Sequence, residues 1–191
     1  MKPLPLILAS SSPRRLMLLQ QIGITPDRVI APDIDETPAR GELPRPYTER
    51  MAREKALAVR SDTHLVLAAD TVVTAGRRIL PKAEGPDDVR LCMRILSGRR
   101  HHVFTAVALA APDGRVTERL VDTVVTFNRL TDDQIERFVA TGEGEGKSGG
   151  YAINGYVASF VRFIAGSQSS VVGLPLFETA QLLRGHGWHI P

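Results

Sequence analysis

A short apolar strand runs into three serines, a proline and two arginines in the stretch Leu4-Pro5-Leu6-Ile7-Leu8-Ala9-Ser10-Ser11-Ser12-Pro13-Arg14-Arg15. Ser12 is a favourable N-cap and Pro13 suits the first helical position, so a helix is predicted to begin here. Arg14 and Arg15 then lie in its first turn, where the helix dipole disfavours positive charge. Hydroxyl groups, free backbone N–H groups and two guanidinium groups at one helix start indicate a phosphate-binding site.

The composition is that of an ordinary globular protein. The 191 residues are 43% hydrophobic and 24% charged, which is enough for one domain with a sizeable core. The formal net charge of +3 is too small to argue for duplex DNA binding. Aromatic residues make up only 5% of the chain, too few for a groove that stacks single-stranded nucleic acid. We therefore expect no nucleic-acid partner.

The cysteine content and the N-terminal segment both favour a cytoplasmic protein. Cys92 is the only cysteine, so no intrachain disulfide can form and a reducing compartment is expected. The apolar run over residues 4–9 is too short for a signal peptide or a membrane span. We therefore expect no membrane partner.

Strands alternate with helices along the chain, and one long hairpin lies near its centre. This order predicts an α/β protein with a mixed sheet, built as a single domain, 1–191, in which two lobes share one cleft. The predicted strands are residues 6–9, 29–31, 64–74, 77–80, 102–110, 115–127, 157–164 and 170–172. The predicted helices are residues 13–22, 47–60, 87–96, 132–140 and 175–184, with a proline-containing surface loop over 38–46.

Asp70 interrupts an apolar run, between Leu65-Val66-Leu67-Ala68-Ala69 and Thr71-Val72-Val73. A buried ionised carboxylate is costly unless it is paired with a cation or holds one. We therefore expect Asp70 to be catalytic or metal-binding. The alternative is an aspartate at a strand end that satisfies local backbone donors.

Glu36 lies in an acidic loop with Asp33 and Asp35. On its own, such a loop is a solvated surface segment. Beside Asp70 and a phosphate-binding site, one of these carboxylates becomes a candidate second ligand for a hard cation. Carboxylates that act together with substrate phosphate oxygens are typical of a divalent metal, Mg²⁺ or Mn²⁺.

Lysines are candidates for neutralising phosphate charge. Lys55 shares a predicted helix face with Met51 and Val59, so it either extends its ammonium group to solvent or serves the site. Lys82 taken alone reads as a surface residue. Both gain weight if a triphosphate must be bound, because ammonium groups act as point charges on phosphate. Lys147 lies in a glycine-rich loop that we expect to be flexible, and we favour a solvated role for it.

The segment Gly149-Gly150-Tyr151-Ala152-Ile153-Asn154-Gly155 combines glycines with an amide. Glycines allow the backbone to approach a planar ligand closely, and Asn154 can offer donors and an acceptor to a base edge. A plain turn between strands is the alternative.

Six segments in order along the chain carry a resemblance to one protein family. They are 8–15, 50–56, 69–73, 96–98, 146–155 and 171–176, which read LASSSPRR, RMAREKA, ADTVV, LSG, GKSGGYAING and VVGLPL. Through them the chain resembles the Maf family of nucleoside triphosphate pyrophosphatases over nearly its whole length. The resemblance implies a mixed, twisted sheet flanked by helices, with a deep cleft between two lobes.

The resemblance also implies the reaction and the residues that carry it. A nucleoside triphosphate is cleaved to the monophosphate and pyrophosphate with the help of a divalent metal. The aspartate that matches Asp70 is the proton acceptor and Glu36 supports the metal, in a family of proteins that are commonly homodimers. The other residues implied to line the site are Ser10, Arg14, Arg15, Lys55 and Lys82.

Base choice in the family is linked to the positions of Arg14, Thr71 and Asn154. Arginine and threonine at the first two resemble the branch that takes dTTP and UTP. Asn154 stands where that branch usually carries glutamine, one methylene longer, so its reach to the base is altered. The exact base, and whether ordinary or modified nucleotides are cleaved, stay open. A nucleotide-binding regulator of cell division without turnover is the second hypothesis.

Overall fold

The computed structural model describes residues 3–190. Its strands are β1 (Leu6–Ala9), β2 (Arg28–Ile30), β3 (Leu65–Ala75), β4 (Arg78–Leu80), β5 (Arg100–Ala110), β6 (Val116–Phe127) and β7 (Val161–Ala165). Its α-helices are α1 (Pro13–Gln21), α2 (Pro44–Ala58), α3 (Pro86–Leu96), α4 (Asp132–Ala140), α5 (Gln168–Val172) and α6 (Leu176–Arg184). A short 3₁₀ helix, Tyr156–Phe160, precedes β7.

The strands form one mixed sheet in the order β2-β1-β3-β5-β6-β7, with β4 also paired to β3. β1 runs parallel to β2 and β3, whereas the remaining pairs are antiparallel. The predicted mixed α/β class is therefore confirmed. The long β5–β6 hairpin lies at the expected place, and both strands are longer than a mean strand.

One edge of β3 is open at its middle, and this opening positions the site. On that edge β1 pairs with β3 as far as Ala68, and β4 begins to pair only at Val73. On the opposite edge β5 accompanies β3 without interruption. Residues 69–72 therefore have no strand partner on one side within the described chain. Asp70 lies in this gap, next to the carboxyl end of β1, where open α/β sheets bind their ligands.

Buried side chains form separate clusters on the two sides of this gap. One includes Phe127 and Phe138 beneath α3 and α4. The other includes Leu8 and Leu19 beneath α1 and α6. Small residues such as Ala68 let α2 pack closely against the middle of the sheet. The described helices include none that is both long and apolar enough to cross a bilayer.

Three predicted elements differ from the observed ones in type or by more than two residues at one end. α2 begins at Pro44 instead of residue 47, because the first helical turn tolerates prolines. Residues 170–172, predicted as a strand, belong to α5, whose first turn is capped by the Ser167 hydroxyl accepting from the Ser170 N–H. The predicted strand 157–164 begins only at Val161. The valines at the end of α5 favour a strand by their side-chain type, but the capped helical turn outweighs that preference here.

The predicted caps give mixed results. Thr131 caps α4, and Gln134 completes the capping box as predicted. Ser12 has the extended backbone of an N-cap, but its side chain makes no capping hydrogen bond in α1. The Ser12 N–H instead donates to Ser10 Oγ at 3.1 Å. The Ser10 hydroxyl oxygen is thus engaged by the backbone at the start of α1.

A buried histidine on β5 is expected to make the fold less stable at acid pH. His101 Nε2 lies 2.8 Å from the Tyr151 hydroxyl, and burial lowers the pKa of His101 from 6.5 to about 4. The folded protein therefore favours neutral His101. The contribution of this group to the free energy of unfolding is complete above pH 6.5 and is lost as the pH falls towards 4. We expect this one group to remove about 3 kcal/mol of unfolding free energy over that range.

Urea titrations at pH 7 and at pH 4 provide the measurement. The His101→Gln variant should show a smaller loss between the two pH values than the wild type, whatever its stability at pH 7. An equal loss in both proteins would exclude His101 as the source.

Candidate active site

A cleft of about 350 Å³ opens where β3 lacks a strand partner, at the carboxyl end of β1. Of the residues that the sequence singled out for the site, all but Asp33 and Asp35 of the acidic loop line this cleft. These residues are Ser10, Arg14, Arg15, Glu36, Lys55, Asp70, Thr71, Lys82 and Asn154. Asp70 and the start of α1 therefore face the same space, although about 55 residues separate them in sequence.

Lys55 connects the two carboxylates of the cleft. Its Nζ lies 2.6 Å from Asp70 Oδ1 and 3.1 Å from Glu36 Oε2. Lys55 is 5% exposed and Asp70 is 7% exposed, so the pair is shielded from bulk water. α2 presents Lys55 from the face that also carries the fully buried Met51 and Ala52. The ammonium group therefore points into the site and does not extend to solvent.

Two lysines hold the Glu36 side chain, and a tyrosine holds its backbone carbonyl. Burial raises the pKa of the Glu36 carboxyl, but the charges of Lys55 and Lys82 outweigh burial and lower it overall. Lys82 Nζ lies 3.6 Å from Glu36 Oε2. The Tyr47 hydroxyl donates to the Glu36 carbonyl oxygen at 2.8 Å. Burial and the nearby carboxylates of Asp70 and Glu36 raise the pKa of Tyr47 to about 12, so this donor stays protonated.

The two neighbouring arginines of α1 have different surroundings. Arg15 Nε donates to the Gly173 carbonyl oxygen at 2.8 Å, and Arg15 Nη1 donates to Ser10 Oγ at 3.3 Å. Burial lowers the pKa of Arg15, opposed mainly by the charge of Asp70. Arg14 makes no hydrogen bond or ion pair within residues 3–190, and burial lowers its pKa too. Arg15 therefore ties α1 to the end of α5, whereas Arg14 keeps its whole guanidinium group for a ligand.

Gly173 is required at the contact with Arg15. Its φ of +134° lies in a region that residues with a Cβ rarely adopt. A Cβ there would make only ordinary contacts, the nearest 3.6 Å from Arg15 Nε, so the backbone conformation is the reason for glycine. The glycine in the segment VVGLPL thus has a local structural reason.

Thr71 follows Asp70 and is anchored by a buried neighbour on β5. Thr105 Oγ1 lies 3.2 Å from Thr71 Oγ1 and donates to the Ser170 carbonyl oxygen at 2.8 Å. Thr105 is fully buried, so this link between the sheet and α5 is shielded from water. The position of Thr71 is therefore set by groups that do not line the cleft.

Asn154 lies on the exposed rim of the cleft and has an amide partner. Its Oδ1 accepts a hydrogen bond from Gln168 Nε2 at 3.2 Å. Sequence reasoning identified Asn154 but not Gln168, Tyr47 or Thr105. No local motif marks these three residues, because each acts through a partner far away in the chain.

The donor set of the cleft fits a hard cation only in part. Glu36 and Asp70 supply carboxylate oxygens, the ligands that Mg²⁺ and Mn²⁺ prefer. Within residues 3–190, no three His, Cys, Asp or Glu side chains are grouped so that they could hold an ion. The residues therefore suit a cation whose remaining ligands come from substrate phosphate and water, and do not suit a site built wholly from protein.

Comparison with known proteins places the chain in a family. The family described as Maf-like protein matches residues 5–186, and the chain belongs to it. A protein of Gluconobacter oxydans named dTTP/UTP pyrophosphatase is 60% identical over 187 residues, covering 94% of this chain and 86% of its own. Another of that name from Granulibacter bethesdensis is 55% identical over 200 residues, covering 96% of this chain and 94% of its own.

A solved structure shares the fold at low sequence identity. The structure of a HAM1 protein from Coxiella burnetii is 16% identical, covers 95% of this chain and 99% of its own, and has a TM-score of 0.52. The two proteins therefore share a fold.

Proposed function

We propose that the protein hydrolyses dTTP and UTP to the nucleoside monophosphate and pyrophosphate, thereby removing unwanted nucleotides. The names and the 52–60% identity of its relatives support this substrate class. The observation that carries the proposal is the meeting of the buried Lys55–Asp70 pair with unpaired cations in one cleft. A regulator that binds nucleotide without turnover is the less favoured hypothesis, because the relatives are named as pyrophosphatases.

Asp70 is the proposed proton acceptor. Lys55 occupies its Oδ1, and no described residue donates to its Oδ2, which leaves that oxygen for a water molecule. The water oxygen forms a bond to the α-phosphorus while the bond from that phosphorus to the bridging oxygen breaks. Pyrophosphate leaves with the bridging oxygen, and the proton of the water passes to Asp70.

The cations of the cleft have the task of stabilising the phosphate charge that develops. Arg14 offers a guanidinium group that has no partner within residues 3–190, and Lys55 and Lys82 offer ammonium groups already held beside Glu36. Arg15 is divided between the site and the Gly173 carbonyl. Ser10 supports Arg15 through its hydroxyl group.

Asp70 and Glu36 are the residues that would hold a divalent metal, Mg²⁺ or Mn²⁺. When bound, such an ion polarises phosphoryl oxygens and neutralises their charge. Lys55 now donates to both carboxylates, so it is the group that would have to yield or share these oxygens.

Thr71 and Asn154 are the proposed contacts for the base. Asn154 is one methylene shorter than the glutamine expected at this position, and its amide is held by Gln168 on the rim. The pyrimidine preference is supported by the names of the relatives and by Arg14 and Thr71, which resemble the branch that takes dTTP and UTP. We further propose a cytoplasmic homodimer that needs no nucleic-acid or membrane partner.

Product analysis is the direct test of the proposed reaction. With Mg²⁺, dTTP and UTP should give the monophosphate and pyrophosphate in equal amounts, faster than ATP or GTP, and chelation with EDTA should stop the reaction. Release of inorganic phosphate would exclude attack at the α-phosphorus. Tight binding of dTTP without turnover would favour the regulator, and preferential cleavage of a modified nucleotide in the same panel would redefine the substrate.

A further inference from the structure

Lysine is rare in this chain and concentrated in the cleft. The basic residues number 24, yet the only lysines are Lys2, Lys55, Lys82 and Lys147. Lys2 lies outside the described residues, and the other three all line the cleft. Arginine serves as the cation nearly everywhere else in the sequence. Lys147 therefore differs from the usual surface cation of this protein, contrary to the solvated role that its loop favoured.

Lys147 lacks the carboxylate partners that the other two cleft lysines have. Lys55 and Lys82 both lie against Glu36. The half-buried Lys147 donates from Nζ to the Glu145 carbonyl oxygen at 3.0 Å and forms no ion pair within residues 3–190. Its charge is therefore not compensated by the protein.

A second uncompensated cation is close to Lys147. Arg14 is half-buried in the same cleft and has no partner among the described residues. Burial and the positive charge of Arg14 lower the pKa of Lys147. Two like charges that face one space without an anion raise the energy of the free protein. A bound anion removes that repulsion, whereas a pyrimidine base, which is neutral at pH 7, does not.

The loop that carries Lys147 is fastened to the segment that carries Lys82. The Ala83 N–H donates to the Lys147 carbonyl oxygen at 3.1 Å, and the Gly146 N–H donates to the Ala83 carbonyl oxygen at 2.8 Å. On the other side of Lys147, Gly149 packs so tightly that a Cβ would lie 2.6 Å from Val73 Cγ1. The loop that we expected to be flexible is thus hydrogen-bonded and packed against the wall of the cleft. This packing holds Lys147 at the cleft before any ligand binds.

We propose that Lys147 is a substrate-contacting residue whose ammonium group, together with Arg14, binds oxyanions of the β- and γ-phosphates that leave as pyrophosphate. This inference rests on the proposed function and deepens it. The cleft then has two parts. Asp70 and Glu36, with their lysines, face the α-phosphorus, and the carboxylate-free cations hold the leaving group. Binding energy from that end serves to place the α-phosphorus beside Asp70.

Direct binding of two fragments of the substrate tests the assignment. Isothermal titration in magnesium buffer would compare pyrophosphate, which contains only the leaving group, with dTMP, which contains the base and the α-phosphate. For Lys147→Ala we expect pyrophosphate affinity to fall about tenfold or more and dTMP affinity to stay within about twofold of wild type. Lys147→Arg should recover part of the loss, because it restores the charge but not the ammonium geometry. Glu145→Gln, in the same loop, should bind both fragments as the wild type does.

Several outcomes would overturn the assignment. They are unchanged pyrophosphate affinity in Lys147→Ala, an equal loss for both fragments, and no measurable binding of pyrophosphate by the wild type. The proposed function fails separately, because absence of dTTP turnover in the wild type would contradict it while the fragment comparison can still be read.

Discussion

Asp70→Asn is expected to lower kcat for dTTP by about 10³-fold or more. Asparagine has the same shape, and its carbonyl oxygen can still accept from Lys55, which now donates to Asp70 Oδ1 at 2.6 Å. The amide cannot take up a proton from water, so the chemical step loses its proton acceptor. Initial rates with Mg²⁺ measure the effect, and circular dichroism measures whether the fold is kept.

The matched control is Asp133→Asn, on the exposed surface of α4, where the carboxylate has Arg137 as its one ion-pair partner among the described residues. It should retain wild-type activity. If Asp70→Asn retains activity within about twofold of wild type, Asp70 has no part in the mechanism.

Lys55→Met is expected to destabilise the protein by about 3 kcal/mol and to abolish activity, because it leaves the buried Asp70 carboxylate without its direct ion-pair partner. The methionine side chain is close in volume to the stem of lysine and suits the apolar face of α2, so lost charge is the main change. Urea unfolding at pH 7 measures the stability.

Two further variants separate charge from packing. Adding Asp70→Asn to Lys55→Met should restore much of the stability but no activity, because the unpaired charge is gone and so is the proton acceptor. Lys82→Met should cost less than about 1 kcal/mol, since the Lys82 side chain is 64% exposed and its pair with Glu36 is screened by water. If Lys55→Met is as stable as Lys82→Met, the buried pair is not the stabilising element described here.

The sequence predicts those parts of the fold that depend on local signals. β1 and α4 have the predicted bounds, because an apolar run and a capping box are both local patterns. α5 was missed because Ser167, its cap, lies before a pair of valines that favour a strand when taken alone. The start of α2 was placed too late, since prolines mark a loop unless they lie in the first turn of a helix.

The site could be predicted as a set of residues but not as a set of contacts. Asp70 stands out as a carboxylate within an apolar run, and the arginines of α1 stand out as cations in the first turn of a helix. The structure brings these residues together in one cleft. The engagement of Arg15 with the Gly173 carbonyl has no signal in sequence, since 158 residues separate the two partners.

Because one edge of β3 is open, the lengths of β1 and β4 determine how large a substrate the cleft can hold. β1 ends at Ala9, opposite Ala68, and β4 ends at Leu80, opposite Val73, so the width of the gap in β3 pairing is set by the main chain and not by side chains. Substitutions at the rim of the cleft, such as at Asn154, are therefore expected to change base preference while the groups around the α-phosphorus stay in place. Extending β1 by two residues would pair with two of the four β3 residues, 69–72, that lack a strand partner on this edge, and would narrow the gap by a change that no point substitution reverses.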